Sequence, residues 1–419
     1  PAVDVVVRAG SKIVSNLAYG QFTPYLSVDP GVYYLDVKPA GNSAIVGTFK
    51  ADLTTLAGGA ARVFASGLLG GTPGFGLFAA LPNGTVIELP LTPVARVQVI
   101  HNSPGQAVDI YGNGSLLVDD LDYREATPFV FLPTGLTNIG VALDNSLEVS
   151  DTIANFQATL VNGGAYIAVA NGIIGDPNAP FELIINADGR EQANDTAQVD
   201  ITVFHGSSDA PAVDVDAIFV ANDAITNLAY GNFAPGYLSV APEKNDFTVR
   251  VAGTQNAVNT YRADLSGLKG QAATVLASGF VTSDPGFGLF AVLPNGTVIE
   301  LPLTPFARLQ VIHNAPDPTV DVYAGNVRLL NNFAFRTATP YIDVPSDRTF
   351  GVAVAPDNSA SVGDALATFP VSLETGKSYA VFASGIVGGS PAFTLLADES
   401  REAALDPAAC STPTKKLAA

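Results

Sequence analysis

Residues 97–111 read VQVIHNSPGQAVDIY, and the same sentence returns as ITVFHGSSDAPAVDV at 201–215 and LQVIHNAPDPTVDVY at 309–323. A fourth copy starts part-way through, with PAVDV at 1–5. All three histidines of the chain, His101, His205 and His313, fall at the same word of this sentence. Its aspartates, Asp4, Asp109, Asp214 and Asp321, are spaced by 105, 105 and 107 residues, so the repeat is a domain in length and far longer than a solenoid unit. A second word keeps the same register: FASGLLGGTP around Gly67, VANGIIGDP around Gly172, LASGFVTSDP around Gly279 and FASGIVGGSP around Gly385.

Within each repeat, short runs of Val, Ile, Leu, Phe and Tyr alternate with polar residues and are cut about every ten residues by Gly, Pro, Asn or Asp. No sustained helical period is present. The LPNGT at Leu81 and Leu293 sets Asn-Gly between two apolar runs, a strong hairpin signal because both residues tolerate positive φ. About seven strands in about 100 residues predict an all-β chain of four tandem immunoglobulin-like, Greek-key β-sandwiches. The boundaries fall at residues 1–93, 94–190, 197–305 and 306–400, with a tail over 401–419 that ends in the vector-like Lys416-Leu417-Ala418-Ala419.

The repeats form two similar pairs. Residues 73–93 and 285–305 differ only at Ala80, matched by Val292, and repeats two and four share Arg124 and Arg336 where one and three have Gly20 and Gly231. Duplication of a two-domain module accounts for this pattern. ELPLTP joins the partners of each pair at 88–93 and 300–305, and its two prolines should make those joints stiff. The polar stretch 187–198, ADGREQANDTAQ, should be a more mobile connector between the pairs.

Pro1 aligns with Pro211, so the first repeat lacks a counterpart of residues 199–210, the strand that carries His205. Two readings stay open: the strand lies upstream and has been removed, or another chain supplies it by strand addition to an exposed edge.

Composition excludes several classes. With 39 acidic and 20 basic residues and a net charge of −19, the surface repels nucleic acid and anionic lipid. No apolar stretch approaches the roughly 20 residues that span a bilayer. The single cysteine, Cys410, lies in the tail, so no internal disulfide forms and the domains depend on their cores.

The repeated words resemble the domain-of-unknown-function family DUF4397, whose hallmark is a strand ending in H-x-S-P-D-A-P followed by V-D-V-Y. Here it stands as His101-Asn102-Ser103-Pro104 with Val108-Asp109-Ile110-Tyr111, and again at 205–215 and 313–323, with Ala315 in place of the motif serine in repeat four. The resemblance covers the chain through Asp398. It implies a secreted or surface-attached tandem module and brings no activity with it.

His101, Asp109, His205, Asp214, His313 and Asp321 therefore need a chemical reading of their own. Each histidine follows inward-facing residues at a strand end, beside a turn rich in Ser, Pro and Asp, which suits a buried hydrogen bond that fixes the turn. One histidine per domain cannot build a three-ligand zinc site. Ser103, His101 and Asp109 have the residue types of a triad, but Ala315 removes the nucleophile from repeat four. Ser66, Ser278 and Ser384 of the ASG word lack the flanking glycines of a nucleophile elbow, and Asn171 replaces the serine in repeat two. The glycines near Gly74 and Gly76 precede no Lys-Ser or Lys-Thr, which excludes a phosphate loop.

Two acidic clusters carry the hard oxygens that calcium takes: Asp119, Asp120 and Asp122, and Asp209, Asp214 and Asp216. Calcium is the one cofactor the sequence brings into view, set against the ordinary role of aspartates in self-capping turns. Tyr19, Phe22 and Tyr25, echoed by Tyr230, Phe233 and Tyr237, are either an aromatic platform or packing. The expectation is a non-enzymatic extracellular or cell-surface protein that acts as spacer, adhesive or envelope component, with a protein or envelope partner and no membrane span. A secreted module that binds a glycan or protein is the alternative, and self-association through the incomplete first repeat is a third partner class.

Overall fold

The computed structural model describes residues 2–8, 11–42 and 45–400; the tail at 401–419, with Cys410, lies outside the described residues. The described chain is all-β: thirty-two strands, two three-residue 3-10 turns and no α-helix. Four repeated domains follow one another and group into two compact bodies, the first built on repeats one and two and the second on repeats three and four.

Repeat four gives the common plan. Its opening strand, Phe306–Asn314, lies between Ile342–Pro345, antiparallel, and Ser378–Ser384, parallel, with Thr394–Glu399 at the far edge. The facing sheet runs Val327–Phe333, Val320–Ala324, Thr349–Pro356, Ala367–Ser372. Repeat two has the same two four-stranded sheets, and repeat three extends one of them to five strands with Val298–Glu300. Repeats two and four thus have eight strands each and repeat three has nine, more than the seven the turn spacing suggests. The extra ones are short strands such as Leu238–Val240, too brief to show an alternating pattern.

Apolar residues at alternate positions meet between the sheets. Val199, Ile201, Val213, Val215, Phe247 and Val275 are buried together in repeat three, and Val97, Val99, Val108, Ile110 and Val141 do the same in repeat two. The Asn-Gly hairpin forms at both predicted places, closed in repeat one by Leu81 N–H to Thr85 O at 2.8 Å.

Repeat one differs in the way its sequence implies. It keeps the sheet Lys12–Leu17, Val3–Val7, Val32–Pro39, Gly47–Asp52, but its second sheet has only Arg62–Ser66, Gly76–Ala80 and Val86–Leu89. Arg62–Ser66 pairs on one side only, and residues 25–28, the counterpart of Leu238–Val240, form no strand.

Each joint within a body is pinned. The linker donates Thr92 N–H to Thr48 O and accepts Lys50 N–H on Pro90 O, and residues 302–304 repeat this against Thr260 and Arg262. At the centre of each joint sits a buried carboxylate, opposite Thr48 in the first body and opposite Arg262, two positions along the strand, in the second. Asp36 receives Arg8 through both carboxylate oxygens and the Thr48 hydroxyl at 2.8 Å, while Arg8 Nη1 reaches across to Val94 O at 2.5 Å. Asp246 receives Arg262 Nε at 2.8 Å, the Thr304 hydroxyl at 2.9 Å and, from the next sandwich, Arg348 Nη1 at 3.0 Å. Aromatic pairs cover the joints: Tyr34 with Phe131 at 4.5 Å and Phe219 with Phe350 at 4.6 Å between centroids. Gly325 lies so near Phe219 that a Cβ there would stand 2.2 Å from its carbonyl oxygen, so only glycine fits.

The connector at 187–198 is hydrogen-bonded at each end. Glu191 pairs with Arg96 at 2.6 Å in the first body, and Ala193 N–H donates to Gly270 O at 2.9 Å in the second.

Candidate functional site

The hallmark histidines lie at the ends of the opening strands and are fully buried. Nε2 of each faces a carbonyl oxygen of the following turn: His101 to Gln106 at 3.1 Å, His205 to Pro211 at 2.9 Å, His313 to Pro318 at 3.1 Å. Nδ1 accepts a backbone N–H two residues on, from Ser103 and from Ala315, each at 3.3 Å. These partners select the neutral Nε2–H tautomer, since a carbonyl can only accept and an N–H can only donate. Burial pushes all three imidazoles below the ordinary histidine range. In repeat three Nδ1 of His205 has no partner among the described residues.

The hallmark aspartates have a matching job. One carboxylate oxygen accepts the backbone N–H of a residue in the next strand that has left-handed φ: Asn16 to Asp4 at 2.8 Å, Asp120 to Asp109 at 2.9 Å, Asn227 to Asp214 at 2.8 Å and Asn332 to Asp321 at 2.9 Å. These four residues have φ of 51, 52, 51 and 52° and sit at the bulge where the strand pairing shifts register. The other oxygen ties down the next hairpin, through backbone N–H of Gly41 and Gly253 in repeats one and three and through the hydroxyls of Ser146 and Ser359 in two and four. The alternation follows the pairwise duplication.

Charge around this clamp varies. Asp4 takes Lys12 Nζ at 2.6 Å, which with the Asn16 N–H pushes its carboxyl down to about 2. Asp214 has Arg250 at 3.7 Å and Asp321 has Arg328 at 3.0 Å. Burial works to raise the Asp321 carboxyl, but the Ser359 hydroxyl, the Asn332 N–H and Arg328 together hold it below the usual carboxylate range. Asp109 instead faces Asp119 and Asp120, with an oxygen of each within 4.8 Å of the others. Desolvation and then the charges of Asp119 and Asp109 push the Asp120 carboxyl up.

The structure thus groups Asp119 and Asp120 with Asp109, while Asp122 turns away and its N–H donates to Glu125 at 3.2 Å. The second acidic cluster divides its labour: Asp209 accepts the N–H groups of Val281 and Thr282, Asp214 holds the bulge, and Asp216 pairs with Arg250 at 2.8 Å. The Ser103, His101, Asp109 set does not form a relay. Both ring nitrogens of His101 are taken by backbone, and Asp109 faces Asp120 N–H and Ser146. The ASG word is a turn: a Cβ on Gly67 would lie 2.0 Å from Gly74 O.

Tyr19, Phe22 and Tyr25 are exposed, whereas Tyr230, Phe233 and Tyr237 are half-buried and Phe233 packs on Phe204 at 4.8 Å. The joint carboxylates Asp36 and Asp246 escaped sequence reasoning because each stands alone in an ordinary strand word. The left-handed Asn16, Asn227 and Asn332 did leave a trace, a recurring Asn 11 to 13 residues after the hallmark aspartate.

A family profile described as "Domain of unknown function (DUF4397)" matches residues 1–82, 95–216, 200–295 and 307–409. The chain belongs to the DUF4397 family. The second and third matches overlap over residues 200–216, which hold the DUF4397 opening strand and hallmark of repeat three. Among solved structures, the chain is similar to "The Bacillus anthracis TIE protein" at 8% identity and a TM-score of 0.14, over 92% of this chain and 66% of that one. It spans just under two thirds of that protein, and the likeness carries no argument. No curated protein matches.

Proposed function

We propose that this DUF4397 chain is a non-enzymatic extracellular or cell-surface repeat protein, a spacer, adhesive or envelope component made of four immunoglobulin-like, Greek-key sandwiches. The observation that carries the reading is the use of the hallmark. Each hallmark histidine and aspartate is buried and bonded to a turn or bulge of its own domain. Hallmark residues spent on folding in every repeat are not poised above a cleft for chemistry. The joints fit a spacer as well, because an ion-paired carboxylate and an aromatic pair hold the two sandwiches of each body in one arrangement. No helix among the described residues is long and apolar enough to cross a membrane.

The test is where the protein sits. Antibody against the chain should label intact cells of the source organism, and external protease should remove the label. Labelling that appears only after lysis would sink the proposal. Retention of purified protein on a glycan array, abolished by a surface substitution that leaves the melting curve unchanged, would favour the alternative of a secreted glycan-binding module.

A further inference from the structure

In every repeat the turn after the ASG word carries two adjacent bulky apolar residues: Leu68-Leu69, Ile173-Ile174, Phe280-Val281 and Ile386-Val387. The residues change from repeat to repeat, but their class does not. In repeats two, three and four the second member stands out in solvent, Ile174 at 48%, Val281 at 51% and Val387 at 37% exposure, with Ile386 at 42% beside its neighbour. A single exposed aliphatic side chain is ordinary, but the same pair at the same tip of each domain is not scatter.

The tips are held out on stiff supports. Phe280 N–H donates to Pro285 O at 2.8 Å and Ile386 N–H to Pro391 O at 2.9 Å, which closes each turn. The hallmark turn braces the base in each of these repeats: Asn102 Nδ2 donates to Asn171 Oδ1 at 2.8 Å, the Ser207 hydroxyl to Gly279 O at 2.7 Å, and Asn314 Nδ2 to the Ser384 hydroxyl at 3.4 Å. In repeat three Asp209 also accepts the N–H groups of Val281 and Thr282, at 2.8 and 3.0 Å, so the tip offers an apolar side chain on backbone already satisfied.

We infer that these tips are insertion points for a zwitterionic lipid surface. A protein pocket selects shape, whereas Leu-Leu, Ile-Ile, Phe-Val and Ile-Val share only apolarity, and a fluid acyl layer asks for nothing more. Charge selects the headgroup. Residues 67–71, 172–175, 279–283 and 385–390 contain no ionisable side chain, while the chain as a whole carries −19, so anionic headgroups repel it and neutral ones do not. The inference deepens the envelope-component reading and rests on it only for access to lipid; failure of vesicle binding would leave surface labelling of intact cells untouched.

The chain has no tryptophan, so Val281→Trp places a single reporter on one tip of the full chain. Mixed with phosphatidylcholine vesicles, this protein should float with them, and its emission should shift to the blue and keep that shift in high salt, because no ion pair is involved. Ile174→Asp, Val281→Asp and Val387→Asp together should lower the partition coefficient about tenfold or more, with the melting curve unchanged because all three positions are exposed turns. Protein that stays behind when the vesicles float, a reporter whose emission does not move, or an unaltered partition in the triple variant would each overturn the assignment. So would binding confined to phosphatidylglycerol vesicles and abolished by salt, which would be electrostatic. Retention on delipidated envelope protein, lost in the triple variant and without any vesicle binding, would give the tips to a protein partner instead.

Discussion

At the residue scale, the hallmark is a pair of clamps, and its pH behaviour follows from the partners. A histidine whose folded pKa is depressed by burial binds its proton more readily in the unfolded chain, so its stabilisation is present above about pH 6.5 and is lost as pH falls toward the folded value. Thermal midpoints should fall between pH 7 and pH 5.5, and His101→Gln, His205→Gln and His313→Gln together should flatten that slope in calorimetry. Replacing His101 by Ala leaves a cavity and an orphaned Gln106 carbonyl, and should cost about 2–4 kcal/mol. Asp4 acts in the acid range. Its folded pKa of about 2 lies below the ordinary aspartate value of 3.8, so its contribution is present above the unfolded pKa and disappears as pH drops through the folded one. Asp120 has the opposite sign: a raised carboxyl costs stability once it ionises. Asp120→Asn restores the residue found in the sister repeats and should raise the melting point of repeat two at pH 7 but not at pH 3.

At the element scale, one strand decides how well a sandwich closes. Phe204 in the opening strand of repeat three is fully buried, and Phe204→Ala should cost about 3–5 kcal/mol by denaturant titration. Phe64→Ala in repeat one, where 42% of the residue is already exposed, should cost less than about 1.5 kcal/mol. The sequence made much of this legible. The period-2 alternation at 97–101, the Asn-Gly turns and the missing counterpart of residues 199–210 all pointed to the elements that exist. It did not show the short strands, which pair only because longer neighbours present an edge, or the grouping of Asp119 and Asp120 with Asp109, because the bulge that brings them together has no signature apart from the residue at positive φ. Asp122 belonged to the cluster by adjacency in sequence and leaves it because its strand ends at Leu121 and the chain turns there.

At the scale of the whole molecule, the joints are the elements that two-domain duplication conserved in place and changed in detail. Asp36 lies opposite Thr48 and Asp246 opposite Arg262, two positions apart in the shared strand register, and Asp36 is matched by Arg8 of its own sandwich while Asp246 is matched by Arg262 of its own and Arg348 of the next. Removing one partner of a buried pair exposes an uncompensated charge, at a cost of about 3–5 kcal/mol. Arg348→Met should therefore split the unfolding of repeats three and four into two transitions in a calorimetric scan, while Arg8→Met does the same for repeats one and two. A single unchanged transition in either variant would mean that the aromatic pair alone couples the sandwiches.

The parallel pairing of the opening strand has a mechanical corollary. In repeat three the chain enters at Val199 and, because Val298–Glu300 adds one more crossing of the sheet, leaves from the opposite end of that sheet. A pull on the two ends loads the rungs between Val199–His205 and Ala272–Ser278 side by side, so they must fail together. Repeat four has no such extra crossing: Glu399 finishes level with Leu309, at the end where the chain came in. The same pull there peels the sheet open rung by rung. Under tension repeats two and four should therefore extend before repeat three, a graded shock absorber written in the parity of their strands.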